Sequence, residues 1–505
     1  METAARREFL GHPVGLFVLF FTELWERFSF YSLRAFLVLY MTKAMLLSGK
    51  MSNEIYGAYL GFVYAAPFVG GMLADRLLGQ RIAIYIGGAL LALSQFMLAT
   101  HAFMNAQQAD LSPGAMNALF FGALAVLSAG NGFFKPNIST IVGSLYSRTD
   151  ARRDGAFTIF YMGINIGSFS AGFSGQIAEN FGWYWGFLIA GVGMIISLII
   201  FRACRDSLQG QGLAPRPEAL HTPGWGGLPK PLLLATAVLA YIVLAGWLIS
   251  NPGLLQGFAP FVAIPVVIYL IWEAARGPRD EAGRIAVILV LCAFVMFFWA
   301  FFDLHGSMWN LFADQRVDRV VPFLSSIVPP SGELRASLLT ASTNGAMIIL
   351  LAIPFSRLWV WLNRRRMEPS SPLKFALGLA QLAAGYYVMY HAALVAGPDG
   401  KCSLWWLFLA FLLHTTGELC ISPVGLSTIT KMSPPRLVGT FMGVWFLSPA
   451  IGHVFGGKVA GLTDAHGFAT VFWWITLASL GAAALLLLLV PLLNRLARVP
   501  PTAAH

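Results

Sequence analysis

Long apolar runs separated by short polar segments dominate the hydropathy pattern of this chain of 505 residues. A helix rises about 1.5 Å per residue, so about twenty apolar residues cross the hydrocarbon core of a bilayer. The pattern therefore predicts an all-α polytopic membrane protein. Its fourteen predicted transmembrane helices cover 14–42, 53–75, 82–103, 114–143, 155–178, 182–203, 230–250, 257–275, 285–308, 335–362, 373–395, 402–431, 437–461 and 467–493.

The basic residues between these runs predict an orientation. With the N-terminus placed inside, most of the 33 lysine and arginine residues fall in cytoplasmic segments. The external segments then hold only Lys43, Lys50, Arg316, Arg319, Arg335 and Lys401. Because cytoplasmic loops of membrane proteins carry the excess of positive charge, the sequence predicts that both termini lie inside. An even number of helices agrees with this orientation.

The predicted helices also fall into a pattern of two halves. A loop rich in proline and glycine covers 204–230, and the helix pair that follows is interrupted by the turn sequence NPG at 251–253. Without that pair, six helices precede the loop and six follow it, as in carriers built from two repeats. We expect an N-terminal half (1–203), a linker with a two-helix insert (204–284) and a C-terminal half (285–505). The loop GGMLADRLLGQR at 70–81 resembles the corresponding loop of the major facilitator fold.

Composition excludes the main alternatives to a membrane protein. The chain is 57% hydrophobic and only 11% charged, with a mean hydropathy of +0.70, whereas soluble domains carry about a quarter charged residues. The net charge of +10 does not indicate a nucleic-acid partner, because the basic residues lie in short loops between apolar runs. The bilayer is the expected partner. The four cysteines are scattered, which favours packing roles over a metal site or disulfides.

Charged residues inside the first predicted helix are the strongest functional signal. The stretch FTELWERFSFYSLR at 21–34 holds two glutamates and two arginines. A charge at the bilayer centre costs about 2.5–3.5 kcal/mol on insertion scales. At about 100° per residue, Glu23, Glu26, Arg27, Phe30 and Arg34 share one face, bordered by Tyr31. A carboxylate whose basic partner can instead bind an anionic substrate group could couple protons to substrate.

Further polar residues lie at the depth of this cluster in the predicted helices. They are Lys135 on the fourth helix, Asn165 on the fifth and Glu418 on the tenth of the twelve core helices, whereas Asp303 lies higher on the seventh. We expect them to converge on a central binding cavity between the halves. His305 and His414 are either proton-relay groups or hydrogen-bonded packing residues, and the sequence leaves both interpretations open.

Several of these segments together resemble the proton-coupled oligopeptide transporter family. ELWERFSFY at 23–31 matches the family's Glu-x-x-Glu-Arg-Phe-x-Tyr-Tyr motif, and FFKPNIS (133–139) with FYMGINIGS (160–168) matches its signature on the next helices. FWAFFDLHGS (298–307), GELCISPVGLS (417–427) and VGTFMGVWFLS (438–448) are similar to its motifs on the seventh, tenth and eleventh helices. The resemblance covers nearly the whole chain and implies the major facilitator fold.

The resemblance implies a role for each site residue. Glu23, Glu26, Arg27 and Asp303 would carry the coupling protons. Arg27, Tyr31, Arg34 and Lys135 would face the carboxylate of a peptide. Asn165, Asn344 and Glu418 would face its amino group, and Tyr64 and Trp445 would line pockets. This assignment is chemically sensible because only the termini and backbone are common to all peptides, and arginine binds carboxylates through its donor fork.

The resemblance implies a symporter that imports di- and tripeptides with protons by alternating access, in the inner (plasma) membrane. It implies no cofactor, no metal and no obligate protein partner. Two departures from the family's pattern are Phe30, where a tyrosine is usual, and Leu304-His305 after Asp303. The alternative function is a proton-coupled carrier of another solute, such as nitrate, an organic anion or a peptide-like metabolite. An enzyme is not expected, because no nucleophile elbow, nucleotide loop or metal-ligand spacing is present.

Overall fold

The fold is almost entirely helical, as the hydropathy pattern predicts. The computed structural model describes residues 8–109, 111–147, 150, 152–215, 218, 222–223, 225–276, 278–322, 332–397, 400–434 and 437–497. Its first helices are α1 (Val14–Lys43), α2 (Gly49–Leu73), α3 (Gln80–Ala106), α4 (Pro113–Ser144), α5 (Arg153–Phe181), α6 (Trp183–Ala203), α7 (Lys230–Ser250) and α8 (Pro252–Arg276). The later ones are α9 (Arg279–Phe302), α10 (Met308–Arg316), α11 (Ala336–Arg364), α12 (Ser371–Ala396), α13 (Leu404–Met432), α14 (Val438–Gly461) and α15 (Thr463–Leu496).

The described residues also form two short strand pairs. Strands β1 (Glu8–Phe9) and β2 (His12–Pro13) form an antiparallel hairpin before α1. Strands β3 (Val317–Asp318) and β4 (Cys402–Ser403) pair in parallel. Each joins segments at helix ends, so the strands tie connections together and do not build a sheet core.

Each of the fourteen predicted apolar runs overlaps an observed helix, and the run 285–308 is interrupted after Phe302 by a 3-10 turn. Within the described residues, ten helical segments are long and apolar enough to cross a membrane by length and composition alone. Helix α1 does not meet that criterion, because every 18-residue stretch of it includes at least three of its charged residues. Its charges therefore need partners within the protein, since lipid offers none.

The chain divides into two compact units that do not follow chain order. The first comprises Met1–Leu46, Phe62–Asn251 and Ser337–Ala346, and the second comprises Leu47–Gly61, Pro252–Ala336 and Met347–His505. In the first, α1 packs on α5 and α6, and α3 packs on α4 and α6. In the second, α12 packs on α13 and α15, and α9 packs on α14. The three domains predicted from chain order remain a prediction.

Glycines bring helix backbones into direct contact inside each unit. A Cβ atom at Gly70 of α2 would lie 2.0 Å from the carbonyl oxygen of Gly132 on α4. In the second unit, a Cβ atom at Gly456 of α14 would lie 1.9 Å from the carbonyl oxygen of Ala300 on α9. Small residues of this kind let transmembrane helices approach closely, where apolar burial gives no advantage over lipid. These contacts fix the rotation of α4 and α14, and with it the direction of their polar side chains.

Candidate functional site

Four charged side chains from α1 and α4 form a buried cluster. Arg27 donates to both carboxylate oxygens of Glu26, with Nη2 at 2.5 Å from Oε1 and Nε bonded to Oε2. Arg27 Nε also lies 3.4 Å from Glu23 Oε1, and the same oxygen accepts a 2.8 Å bond from Lys135 Nζ. Two carboxylates thus face two cations, and the cluster is formally neutral. Glu23 and Glu26 are fully buried, and Arg27 is nearly so.

Asn131 of α4 connects this cluster to a third helix. Its Oδ1 accepts a hydrogen bond of 3.2 Å from Arg27 Nη2, and its Nδ2 donates to the Val63 carbonyl of α2 at 3.0 Å. Because an amide flip would place donor against donor at Arg27, both bonds fix the orientation of the side chain. Asn131 therefore holds the Arg27 guanidinium in place. It lies one helical turn before Lys135, a spacing that makes it a neighbour on the same face of α4.

The aromatic rings of α1 lie against both arginines. The Arg27 and Arg34 guanidinium carbons are 4.8 Å and 5.8 Å from the centre of the Phe30 ring. They are 5.9 Å and 5.4 Å from that of Tyr31. Each distance is within the range of a cation–π contact, which is stronger where water is excluded. The contacts confirm that Arg27, Phe30 and Arg34 share one face, as predicted, with Tyr31 at its border. The ring of Phe30 contacts both cations although it has no hydroxyl group.

Asn165 and Asn344 lie on helices that touch in the first unit. Asn165 Nδ2 donates to the Tyr161 carbonyl of its own helix at 2.9 Å. A Cβ atom at Gly345, next to Asn344 on α11, would lie 3.3 Å from the Asn165 carbonyl oxygen. Asn165 is buried, whereas Asn344 and Tyr64 are half-buried. The first unit thus contains nine of the predicted site residues: Glu23, Glu26, Arg27, Tyr31, Arg34, Tyr64, Lys135 and these two asparagines.

The second unit contains the remaining predicted residues, Asp303, Glu418 and Trp445. Glu418 is buried on α13, and Trp445 is buried on α14. The Trp445 ring packs on Phe375 of α12 with 6.5 Å between centres. It also crosses α13 at Gly425, where a Cβ atom would lie 2.1 Å from the ring. Glycine at position 425 is therefore what leaves room for the indole.

Asp303 lies at an interruption of its helix. Helix α9 ends at Phe302, a 3-10 turn covers Asp303–Gly306, and α10 starts at Met308. Asp303 Oδ2 lies 2.5 Å from Nε2 of His453 on α14, and both side chains are buried. Sequence reasoning predicted the carboxylate but not the histidine, which lies 150 residues away along the chain.

His305 and His414 are hydrogen-bonded to each other. His305 Nε2 and His414 Nδ1 are 2.9 Å apart, and His414 Nε2 lies 3.2 Å from the Leu382 carbonyl oxygen. A carbonyl only accepts, so His414 carries its proton on Nε2 when neutral, and His305 donates from Nε2. The rings of Trp309 and Phe411 each lie 4.5 Å from that of His305. Among the described residues, no group of three or more His, Cys, Asp or Glu side chains is placed to hold a metal ion.

Charged groups outside the helices anchor the start of α1. Arg152 donates to Glu8 and to the Gly11 carbonyl, each at 3.0 Å, and also to Asp150. The hydrogen bonds from Arg152 to Asp150 itself lower the pKa of Asp150 below its ordinary value. His12 Nδ1 lies 2.9 Å from the Tyr146 hydroxyl, and burial raises the pKa of Tyr146 to about 12. The hairpin before α1 is thereby tied to the segment between α4 and α5.

Comparison with protein families gives a match over most of the chain. The model of the POT family matches residues 81–219 and 261–475. The chain is 36% identical to the peptide transporter YePEPT of Yersinia enterocolitica, over 98% of this chain and 97% of that protein. It is 31% identical to dipeptide and tripeptide permease A of Citrobacter koseri, over 96% of this chain and 93% of the permease.

A solved structure shows the same architecture. A POT family transporter in complex with a thioalcohol-conjugated peptide superposes with a TM-score of 0.81 and is 26% identical in sequence. The superposition covers 97% of this chain and 98% of that one. A helical fold that matches over nearly the full chain agrees with the major facilitator architecture.

Proposed function

The chain belongs to the POT family, and we propose that it is a proton-coupled symporter that imports di- and tripeptides by alternating access. It is a membrane protein with multiple spans and a transporter, not an enzyme. We place it in the inner (plasma) membrane, as its bacterial relatives suggest. Protons are its coupling ion, and peptides are its substrate.

The observation that carries the proposal is the neutral cluster of Glu23, Glu26, Arg27 and Lys135. Its cations are each bonded to a carboxylate, so they can bind a substrate carboxylate only if those bonds weaken. A proton added to a glutamate removes its negative charge and so releases its cation. The released ammonium or guanidinium then attracts the negatively charged end of a peptide, which links proton binding to substrate binding.

The other predicted residues complete this scheme. Arg34 and Tyr31 lie beside Arg27 and add a second donor fork and a hydroxyl for a peptide carboxylate. Asn165, Asn344 and Glu418 would hold the ammonium end, while Tyr64 and Trp445 would contact side chains. Glu418 is a buried acceptor suited to a positively charged group.

The test is transport by the purified protein in liposomes. Labelled dialanine should accumulate when the outside is acidic, and exchange without net accumulation when no pH gradient is present. Unlabelled dipeptides should compete, and nitrate or free organic anions should not. Competition by those anions with no effect of dipeptides would support a carrier of another solute. Accumulation that ignores the pH gradient would refute proton coupling.

A further inference from the structure

Two glycines set the position of His453 against the interrupted helix. Gly452 and Gly456 both contact the backbone of α9. A Cβ atom at Gly452 would lie 2.4 Å from the Met296 carbonyl oxygen, and one at Gly456 would lie 1.9 Å from the Ala300 carbonyl oxygen. His453 lies between these two contacts, so its side chain emerges where α9 ends. This explains how an imidazole and a carboxylate 150 residues apart are held at 2.5 Å.

The pair is closed to water. The side chains of Asp303 and His453 are 6% and 2% exposed, respectively. A carboxylate and an imidazole in contact and out of water titrate as a unit, because a proton on either one changes the charge that the other faces. The first proton of the imidazole lies on Nε2, since the carboxylate oxygen can only accept.

We propose that His453 and Asp303 form one proton-binding unit, in which His453 accepts the proton that Asp303 stabilises. This deepens the proposed function, on which it rests, by adding a coupling residue. In the unloaded unit, a neutral imidazole donates Nε2–H to the carboxylate, with a net charge of −1. A proton then adds to Nδ1, giving an imidazolium that faces the carboxylate, with a net charge of zero. The hydrogen between the two can shift to Oδ2, which breaks the N–H bond, forms the O–H bond and leaves the net charge unchanged.

Further titratable groups lie on the elements packed around this unit. The buried titratable side chains on the 3-10 turn and on the elements around it include Tyr56, Tyr59, His305, Tyr386, His414 and Glu418. The exposed or half-buried ones on α8, α14 and α15 include Tyr269, Glu273, Lys458, Asp464 and His466. Tyr386 donates its hydroxyl to the Phe301 carbonyl at 2.6 Å, two residues before Asp303. The buried imidazoles and phenols have no charge when neutral, so a proton on the unit meets little repulsion from them.

The experiment compares His453→Gln, Asp303→Asn and the double variant in proteoliposomes. Glutamine can still donate to Asp303, but it cannot take a proton. We expect His453→Gln to reduce pH-driven dialanine uptake more than it reduces dialanine exchange without a gradient. The two reductions should differ by about tenfold, which is the factor that corresponds to one pKa unit. The double variant should be no worse than the more impaired single variant, as for residues that act as a unit. A matched control is His101→Gln, a buried histidine bonded to the neutral Tyr40 hydroxyl, which should keep the wild-type pH profile.

Infrared difference spectra provide a second measurement that needs no transport. The imidazolium ring band that disappears in His453→Gln should titrate in the wild type, and its midpoint should move down by about one pH unit in Asp303→Asn, which removes the stabilising negative charge. An unshifted midpoint, driven uptake by His453→Gln with the wild-type pH profile, or additive losses in the double variant would overturn the proposal. If the wild type failed to accumulate dialanine, the proposed function would be wrong, while the infrared titration would still test the unit.

Discussion

Removal of the Lys135 charge is the most direct test of the cluster on α1. Lys135→Met keeps the aliphatic stem and deletes the ammonium, which leaves the fully buried Glu23 with Arg27 at 3.4 Å as its remaining cation. At the observed 2.8 Å and an effective dielectric constant of about 20, the lost attraction is about 6 kcal/mol. The Lys135 side chain is 34% exposed, so solvent screening reduces this figure. We expect a loss of about 3 kcal/mol, the lower end for breaking a buried ion pair.

The pH dependence of that loss distinguishes a charge effect from a packing effect. Protonating an ordinary glutamate costs about 4 kcal/mol at pH 7 but only about 1 kcal/mol at pH 5. At pH 5, protonation of the glutamate therefore removes most of the unfavourable free energy of the uncompensated charge in the variant. The destabilisation should decrease from about 3 kcal/mol at pH 7 to about 1 kcal/mol at pH 5. In thermal unfolding, this corresponds to a decrease in Tm of roughly 3–6 °C at pH 7 and much less at pH 5.

The assay is thermal unfolding of the purified protein at both pH values, together with driven dialanine uptake, which should be lost. Glu23→Gln added to Lys135→Met should recover part of the lost Tm, since it removes the uncompensated charge. Lys458→Met, at an exposed lysine of α14, is the matched control and should leave Tm unchanged. A Tm loss equal at both pH values, or additive losses in the double variant, would refute the charge argument.

Three further changes test other parts of the site. Glu26→Gln, which removes the charge paired with Arg27, should abolish pH-driven uptake in proteoliposomes while the protein still folds; normal concentrative uptake would count against a coupling role. Glu418→Gln should weaken binding of free dipeptides about tenfold or more, but not binding of N-acetylated ones; equal losses measured by calorimetry would exclude an ammonium partner. Glu179→Ala removes the carboxylate that accepts from the Ser337 amide at 3.2 Å and from its hydroxyl at 2.6 Å, so hydrogen exchange at the start of α11 should become faster. Lys43→Ala should have a smaller effect, because Lys43 lies 3.4 Å from Glu179 and is partly exposed.

The periodicity of the sequence predicts most of the fold. Apolar runs identify the long helices because lipid requires continuous apolar segments with their backbone hydrogen bonds satisfied internally. The shared face of Glu23, Arg27, Phe30 and Arg34 follows from helical spacing alone, and the contacts in α1 confirm it. The 3-10 turn at Asp303 was not predicted, because the sequence there contains no proline and the run 285–308 has the length of one uninterrupted transmembrane helix.

The partners of the predicted residues could not be predicted, because they depend on how distant helices are rotated. Asn131 is separated from Arg27 by 104 residues, and His453 from Asp303 by 150. An asparagine or histidine in an apolar run indicates a polar contact but does not say with which helix. In both cases the glycine contacts of α4 and α14 set the rotation, and only the packed structure shows which backbone each glycine meets.

The bond between Lys135 and Glu23 also has a consequence for how the protein is made. These two residues are 112 positions apart in the chain, so α1 leaves the ribosome long before its partner exists. At a synthesis rate of about 5–20 residues per second, the delay is on the order of 10 seconds. During that interval Glu23 must stay at the aqueous interface, within the insertion machinery or in its protonated form. Membrane insertion of α1 is therefore complete only after α4 has been synthesised. Any chaperone or insertase that protects α1 acts during this delay.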